Sequence, residues 1–499
     1  MARHRLVLAA ALVVALSLSI ANGQPAMRLE AEDAQGVGVT RSTTRPAYSG
    51  TGYVWGFHEP GDKLTFSVQA PAGGMYDLAI RYATPGGRKG YYLDVNGAKF
   101  EGMFLRTADA FVTHPAGRVE LKQGENTITM EKYWGHHDID YIELSPTPAS
   151  ADRPPVKPPK TLCDPAATPA ARALHGLLVD QFGVTTLSGV QDTPDGEYTR
   201  EVVGDFPAIA GGDLIEYSPS RVERGADAKG EVERLIRHHR DGSIVTLSWH
   251  WNAPRDLLDR MDTDAQGKPV DHQWYRGFYT EATTFDVEKA LADEKSEAYG
   301  LLLRDIDAIA VQLRKFADAD VPVLWRPLHE AEGGWFWWGA KGNEPFIRLW
   351  RLVHDRLTDH HNLHNVIWVY TSAGDPTWYP GDAYVDVVGV DCYPPATNDP
   401  LSSLWETLYV QHAGRKLLAV SEFGGVPDVA RMHRYGARWG YFVSWTGQLG
   451  PKKMSKEELR AIYANPAVVT QQSLRRLATT APATQPAATQ PTRAAQASP

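Results

Sequence analysis

The sequence predicts a multidomain chain, an N-terminal antiparallel β-sandwich followed by a (β/α)8 barrel of the TIM type, and three observations carry that prediction. A proline-rich stretch, Ser145 to Lys160, reads SPTPASADRPPVKPPK and breaks the chain in two. Before it, short alternating apolar runs are separated by turn signals at the spacing of a sandwich. After it, eight apolar runs alternate with amphipathic helical patterns, which points to a parallel sheet closed into a barrel. At roughly 100–200 residues per domain, 499 residues allow two to four domains.

Along the chain, residues 1–23 come first. Arg3 and Arg5 precede an apolar run from Leu6 to Ile20, and Ala21-Asn22-Gly23 supplies small residues for cleavage, so this segment reads as a signal peptide for a secreted or periplasmic protein. The run is shorter than the ~20 residues of a spanning helix, so no membrane span is expected. Residues 24–145 hold the sandwich runs, such as Lys63-Leu-Thr-Phe-Ser-Val and Met75-Tyr-Asp-Leu-Ala-Ile, punctuated by PAGG, TPGG and NG turns. Residues 146–160 are a semi-rigid linker, because proline removes backbone donors and favours extension. Residues 161–477 carry the barrel runs, among them Ser243-Ile-Val-Thr-Leu-Ser-Trp-His, Val321-Pro-Val-Leu-Trp-Arg-Pro-Leu-His-Glu and Lys416-Leu-Leu-Ala-Val-Ser-Glu. A doubly wound open sheet is the competing architecture; no GxGxxG or P-loop after the first strand supports it. Residues 478–499 contain no large apolar side chain and read as a disordered tail.

Composition narrows the function. Apolar residues at 43% and charged residues at 22% describe an ordinary globular protein. A formal charge of −9 leaves no electrostatic footprint for nucleic acid, and the expected substrate is neutral. With only Cys163 and Cys392, size rather than disulfide stapling must stabilise a chain expected to be a monomer. The aromatic balance is unusual: 15 Trp and 21 Tyr against 14 Phe. Such rings suit wet binding surfaces as well as cores, and seven of the tryptophans fall between Trp249 and Trp338, where they are expected to form a row of binding platforms.

Chemistry in a barrel of this kind stands at the C-terminal ends of the strands. Glu330 ends the fourth run and Glu422 the seventh. A carboxyl there is half-desolvated, which is costly without a partner or a purpose. Two facing one another across the mouth are what a retaining glycosidase needs. By period two, Arg326 is expected on the same face as Glu330, beneath it, and Asp391 and Tyr393 on another shared face, with Asp391 a partner for Arg326 or for a bound hydroxyl. A zinc reading for His250 and His329 lacks both HExxH spacing and a third ligand, and His354, His360, His361 and His364, which crowd a helix end and loop away from the strand mouths, read as a solvated surface rather than a metal site.

The string Trp325-Arg-Pro-Leu-His-Glu-Ala-Glu-Gly-Gly-Trp-Phe-Trp-Trp-Gly339 resembles the signature of glycoside hydrolase family 26, the clan-A barrels best known as endo-β-1,4-mannanases. Ser248-Trp-His-Trp-Asn252, Gly389-Val-Asp-Cys-Tyr393, Ser421-Glu-Phe-Gly and Ser444-Trp-Thr-Gly447 follow in the family's order. The resemblance implies Glu330 as general acid/base and Glu422 as nucleophile, with Tyr393 donating to Glu422. It implies His329 and His250 as ligands of substrate hydroxyls, and Trp335 and Trp445 as sugar-stacking rings. Trp337 and Trp338 either extend the cleft or pack the loop. The long segment from Ala253 to Lys289 is expected to wall one side of the groove. The implied substrate is β-mannan, with β-1,3-xylan and mixed-linkage glucan as sister substrates; a non-catalytic glycan-binding barrel is opposed by the presence of both carboxyls. No cofactor is implied for catalysis.

The first domain opens with Arg28-Leu-Glu-Ala-Glu-Asp33 and closes with Asp138-Ile-Asp-Tyr-Ile-Glu-Leu144, and there it resembles a carbohydrate-binding module of family 35. Glu30 and Glu32, on one strand face by period two, and Asp140 are candidate oxygen ligands for a structural Ca²⁺. Trp134 is the candidate sugar platform, and His136 and His137 read as solvated loop residues.

Overall fold

The computed structural model describes residues 26–147 and 154–480. The segment expected to be a signal peptide, residues 148–153 of the linker and the chain beyond Thr480 lie outside them. The chain divides into two compact units.

Alternation builds the first. In Lys63–Ala70, Leu64, Phe66, Val68 and Ala70 are buried while the residues between them face outward. This strand joins Gln35–Val37, Gly124–Trp134, Lys89–Val95 and Ala98–Phe104 in one antiparallel sheet. A second sheet contains Thr40–Ser42, Tyr53–Trp55, Asp138–Pro146, Gly74–Ala83 and Val112–Leu121. The first strand, Met27–Glu30, pairs antiparallel with the last, Asp138–Pro146, setting Met27 opposite Leu144 and Glu30 opposite Tyr141. His137 departs from expectation: it is buried, its ring stacked on Phe57 at 4.2 Å between centroids, because the inward phase of the closing turn leaves it no route to solvent.

The second unit is a closed parallel barrel of β1 (Gly189–Val190), β2 (Ile209–Asp213), β3 (Ile244–Trp249), β4 (Val323–Pro327), β5 (Val366–Thr371), β6 (Val387–Cys392), β7 (Leu417–Phe423) and β8 (Phe442–Ser444). β8 returns to β1 with Ser444 beside Val190. Each falls within one of the eight apolar runs or at its edge. The strands are apolar along their length because helices cover the outside and side chains fill the inside. The helix Glu297–Asp318 is one such cover: Ser296 caps it, and Leu302, Ile306, Ile309, Leu313 and Phe316 are buried.

Three details revise the sequence reading. The second half of the linker is laid along the barrel, with Pro155 and Pro158 buried and the Val156 N–H donating to the Tyr409 hydroxyl at 2.9 Å. The last helix runs Gln471–Thr480, past the expected start of the tail, because no breaker occurs before Pro482. His354 is buried against Trp368 and Tyr384 rather than solvated, since it lies on the inward face of the helix Asn343–Asp355.

Asp305, on the helix Glu297–Asp318, is fully buried and accepts the Trp251 indole N–H at 2.8 Å, with Arg304 alongside. Burial raises its carboxyl to about 6. Removing the acceptor strands a buried N–H and a guanidinium, so Asp305→Ala should destabilise the barrel by about 2–3 kcal/mol. Asp305→Asn should lose less, and thermal unfolding of the two variants checks the order.

Candidate active site

Backbone geometry delivers the first carboxyl. β4 stops at Pro327, and the chain leaves it through two non-glycine residues in left-handed conformation, Leu328 at φ 50° and Glu330 at φ 54°. Such residues store strain that only a tightly held loop sustains. The holding groups are plain. Trp338 Nε1 donates to the His329 carbonyl at 2.8 Å, and Trp337 Nε1 to the Trp251 carbonyl at 2.6 Å. Glu332 accepts from the Ala373 N–H at 2.7 Å and the Ser372 hydroxyl at 3.2 Å. The Thr280 N–H donates to the Trp335 carbonyl at 2.8 Å, tying the loop to the segment that follows β3. Gly333 is required here, because a Cβ would lie 2.1 Å from the Trp335 ring.

The second carboxyl is aimed by bulges. Register shifts in β6 between Val390 and Asp391, and in β7 between Val420 and Phe423, set Asp391 opposite Glu422 at the barrel mouth. Between them lies Arg326 of β4, 2% exposed. Its Nη1 donates to Asp391 Oδ2 at 2.6 Å and its Nη2 to Glu422 Oε2 at 2.7 Å. The Tyr393 hydroxyl donates to Glu422 Oε1, as the resemblance implied. Arg326 therefore serves Glu422 and Asp391 rather than sitting beneath Glu330: the period-two reading assumed strand geometry beyond Pro327, where the strand has already ended.

The two carboxyls are equipped differently. Glu330 receives one neutral donor, Trp335 Nε1 at 2.9 Å. Burial first, and then the negative charge of Asp391, raise it to about 7. Burial, with the charges of Asp391 and Glu330, also raises Glu422, to about 8, and Arg326 and Tyr393 oppose that rise with the only charge-assisted bond and the only hydroxyl bond that either carboxyl of the pair receives among the described residues. Within this cluster of three carboxyls and one guanidinium, the proton is best accommodated on Glu330, which touches no cation, and the negative charge on Glu422.

Beside the pair runs a groove of about 580 Å³, lined by His250, Phe278, Tyr279, Trp445, Asp213 and Gln191 among others. Phe278 and Tyr279 come from the long segment expected to form a wall. His250 and His329 meet with their Nε2 atoms 3.2 Å apart. Asp213, the last residue of β2, lies against His250 and was not singled out from sequence, although an acid ending an apolar run is the signal that found Glu330.

The tryptophans are mostly struts. Trp249, Trp251, Trp325, Trp337 and Trp338 are fully buried, so the expected row of platforms reduces to Trp335, 45% exposed, with half-buried Trp274 farther along. Their indole N–H groups are spent inside the protein: Trp337 and Trp338 donate to backbone carbonyls, and Trp249 and Trp251 to Ser218 and Asp305.

In the sandwich unit, Glu30 ends its strand and Glu32 falls in the following turn of 3-10 helix, yet both reach the loop at Ser49–Gly52. Glu30 Oε1 accepts from the Ser49 hydroxyl at 2.8 Å, and Glu32 Oε1 from the Gly52 N–H at 3.1 Å. The second oxygen of each is buried without a partner. Asp140 instead pairs with Arg81 and accepts the Ser49 N–H at 2.8 Å. Trp134 is half-buried, its ring over Gly90, where a Cβ would lie 2.3 Å from Nε1, with Arg88 over the ring at 5.5 Å. Trp55 and Tyr133, at 43% and 41%, are the more exposed rings of this unit.

Comparison with known proteins agrees with this geometry. The family model described as glycosyl hydrolase family 26 matches residues 163–473, and that of the family 35 carbohydrate-binding module matches residues 27–147. A mannan endo-1,4-beta-mannosidase of Thermothelomyces thermophilus is 43% identical over 443 residues, covering 88% of this chain and 89% of that one. Mannan endo-1,4-beta-mannosidase A of a Piromyces species is 32% identical over 447 residues, or 87% and 70% of the two chains. The solved Podospora anserina GH26-CBM35 β-(1,4)-mannanase superposes with a TM-score of 0.64 at 41% identity, over 91% of this chain and 99% of that one.

Trp335 Nε1–H favours the charged form of Glu330, so Trp335→Phe should raise this carboxyl further. If Glu330 must be protonated for turnover, the alkaline limb of kcat/KM, near pH 7 in the parent, should move to higher pH in the variant. A limb that stays in place or moves down would contradict this.

Proposed function

The chain belongs to glycosyl hydrolase family 26 and is a glycoside hydrolase, and from that premise we propose that it is a secreted, retaining endo-β-1,4-mannanase acting on mannan, glucomannan or galactomannan. The observation that carries the reading is the unequal pair: a carboxyl with a guanidinium and a phenol, Glu422, and a carboxyl with a single neutral donor, Glu330.

Glu422 attacks the anomeric carbon while Glu330 passes its proton to the departing glycosidic oxygen, so the C–O bond to the leaving sugar breaks as the ester to Glu422 forms. Arg326 and Tyr393 hold the nucleophile still and anionic until that moment. Glu330, now a carboxylate, takes a proton from water, which attacks the same carbon and displaces Glu422 with net retention. Two carboxyls and a water molecule complete this chemistry without a cofactor. Trp335 and Trp445 stack on sugar rings flanking the bond, and His250 and His329 take hydroxyls of the bound sugar. Asp391 balances Arg326, so that the nucleophile keeps its bond without becoming an overly weak base. The relatives named above act on mannan, and that supports mannan as the substrate.

The family 35 module keeps the enzyme on polysaccharide and raises its local concentration, with Trp134 as the ring first considered for sugar contact. Among the described residues no helix is long and apolar enough to cross a membrane. The two unpartnered oxygens of Glu30 and Glu32 fit a Ca²⁺, which prefers hard oxygen ligands. Burial and the nearby charges of Glu32 and Asp140 raise the Glu30 carboxyl, a repulsion that a bound cation would relieve. Asp140, engaged by Arg81, supports this site from outside.

Reducing-sugar release from glucomannan, galactomannan, β-1,3-xylan and barley glucan tests the reading. Mannans should be cleaved, and both Glu330→Gln and Glu422→Gln should lower kcat by about 10³-fold or more. Mannan hydrolysis surviving Glu422→Gln would sink the mechanism; activity confined to glucan or xylan would sink the substrate. For the cation, Ca²⁺ should raise and a chelator lower the unfolding midpoint of the sandwich transition in the full chain. Glu32→Gln should abolish that difference.

A further inference from the structure

Next to Glu330, three side chains form a hydrogen-bonded line whose first member the reaction as described leaves without a purpose. It begins at Asp213, the last residue of β2, whose carboxylate is saturated. Oδ1 accepts the backbone N–H of Ile215 at 2.8 Å and of His250 at 3.1 Å. Oδ2 accepts the Ser248 hydroxyl at 2.9 Å and lies 2.5 Å from His250 Nδ1. Ser248 is itself held by Gln191 Nε2 at 2.7 Å. Four donors converging on one carboxylate keep it ionised: burial pushes the Asp213 carboxyl up, but His250 and these bonds hold it down at about 2.

An ionised Asp213 can only accept, so His250 carries its proton on Nδ1. The other ring nitrogen, Nε2, is then an acceptor when the imidazole is neutral, and it lies 3.2 Å from His329 Nε2. Two nitrogens at that distance need one hydrogen between them. His329 is 1% exposed, beside the Arg326 guanidinium, and burial followed by that charge keeps its ring neutral. One arrangement leaves no ring N–H without an acceptor: Asp213 accepts from His250 Nδ1–H, and His250 Nε2 accepts from His329 Nε2–H. His329 Nδ1 then carries a lone pair, and it is buried with no partner. The His329 carbonyl takes the Trp338 indole N–H, so the residue is clamped at backbone and ring together.

We propose that Asp213 is a positioning residue for the reaction, setting the tautomer of His250 and through it the orientation and tautomer of His329, the residue immediately before the acid/base Glu330. The inference rests on Glu330 acting in that role. Moving the His250 proton to Nε2 would place two hydrogens between the two Nε2 atoms, or else force the His329 proton onto Nδ1, where it is buried with no acceptor. The His329 ring would then have to turn in a loop whose backbone at Leu328 and Glu330 is already strained. Asp213 acts at one remove: a partly buried acid that fixes which face of an imidazole works, a logic known from catalytic triads.

The test has two arms. In the wild-type enzyme, long-range ¹⁵N–¹H correlation of the histidine rings, assigned with His250→Gln and His329→Gln, should show His250 protonated at Nδ1 and His329 at Nε2. The opposite tautomers would overturn the proposal. This arm needs no turnover, so it stands or falls apart from the mannanase reading. In the second arm, Asp213→Asn should lower kcat on mannan by about 10²-fold with KM changed by less than about 3-fold. In a His329→Ala background the same substitution should cost less than about 3-fold, since the pathway it acts through is gone. Losses that multiply in the double variant would make Asp213 a sugar ligand in its own right and overturn the relay, as would an Asp213→Asn enzyme with parental kcat. If Asp213→Asn does not fold, the tautomers alone decide.

Discussion

The active site depends on one buried cation. Arg326 sits on the fourth barrel strand with 2% of its surface exposed, between Asp391 and Glu422. A guanidinium in that position is tolerated only because two carboxylates meet it, and each carboxylate is tolerated only because the guanidinium is there. The unequal behaviour of the catalytic pair follows from its reach. Arg326 turns one Nη to Asp391 and the other to Glu422, and the donor that Glu330 receives is an indole N–H. A barrel whose strands converge on a single arginine thus gives two chemically identical side chains unequal surroundings by geometry alone. The bulges in β6 and β7 serve the same constraint, since without them Asp391 and Glu422 would not stand opposite one another.

A second dependence runs through the tryptophans. The loop after β4 carries left-handed residues at Leu328 and Glu330, a conformation with a real energetic cost. Buried indoles meet it: Trp337 and Trp338 spend their N–H groups on the carbonyls of Trp251 and His329. Trp335, a few residues earlier, stays half-exposed and faces Glu330 instead. The aromatic excess is therefore two populations, most of it scaffolding that holds a strained loop and a small remainder available to sugar.

Much of the architecture was legible in the sequence because its signals are local. Eight apolar runs with turns between them are counted without knowing any contact, and all eight became the barrel strands. Glu330 and Glu422 were legible for the same reason, as acids at the ends of apolar runs. Reading by period two failed where the strand ended early: Arg326 was placed under Glu330, and Glu32 was put on a strand it has already left. Exposure was the other failure. Nothing in Trp-Phe-Trp-Trp says which rings face solvent, and His137 and His354, in polar surroundings by sequence, turned inward. Asp213 directly follows the run Pro207-Ala-Ile-Ala-Gly-Gly212, whose two glycines blunt the apolar signal.

By itself the sequence determined the two domain types, the order of the strands and the presence of two carboxyls at strand ends, because periodicity and composition depend only on neighbours along the chain. Which carboxyl receives the cation, which indoles remain open and how Asp213, His250 and His329 fall into line were decided by tertiary structure. Arg326 meets partners 65 and 96 residues away, and no local pattern encodes a contact that exists only once the barrel has closed.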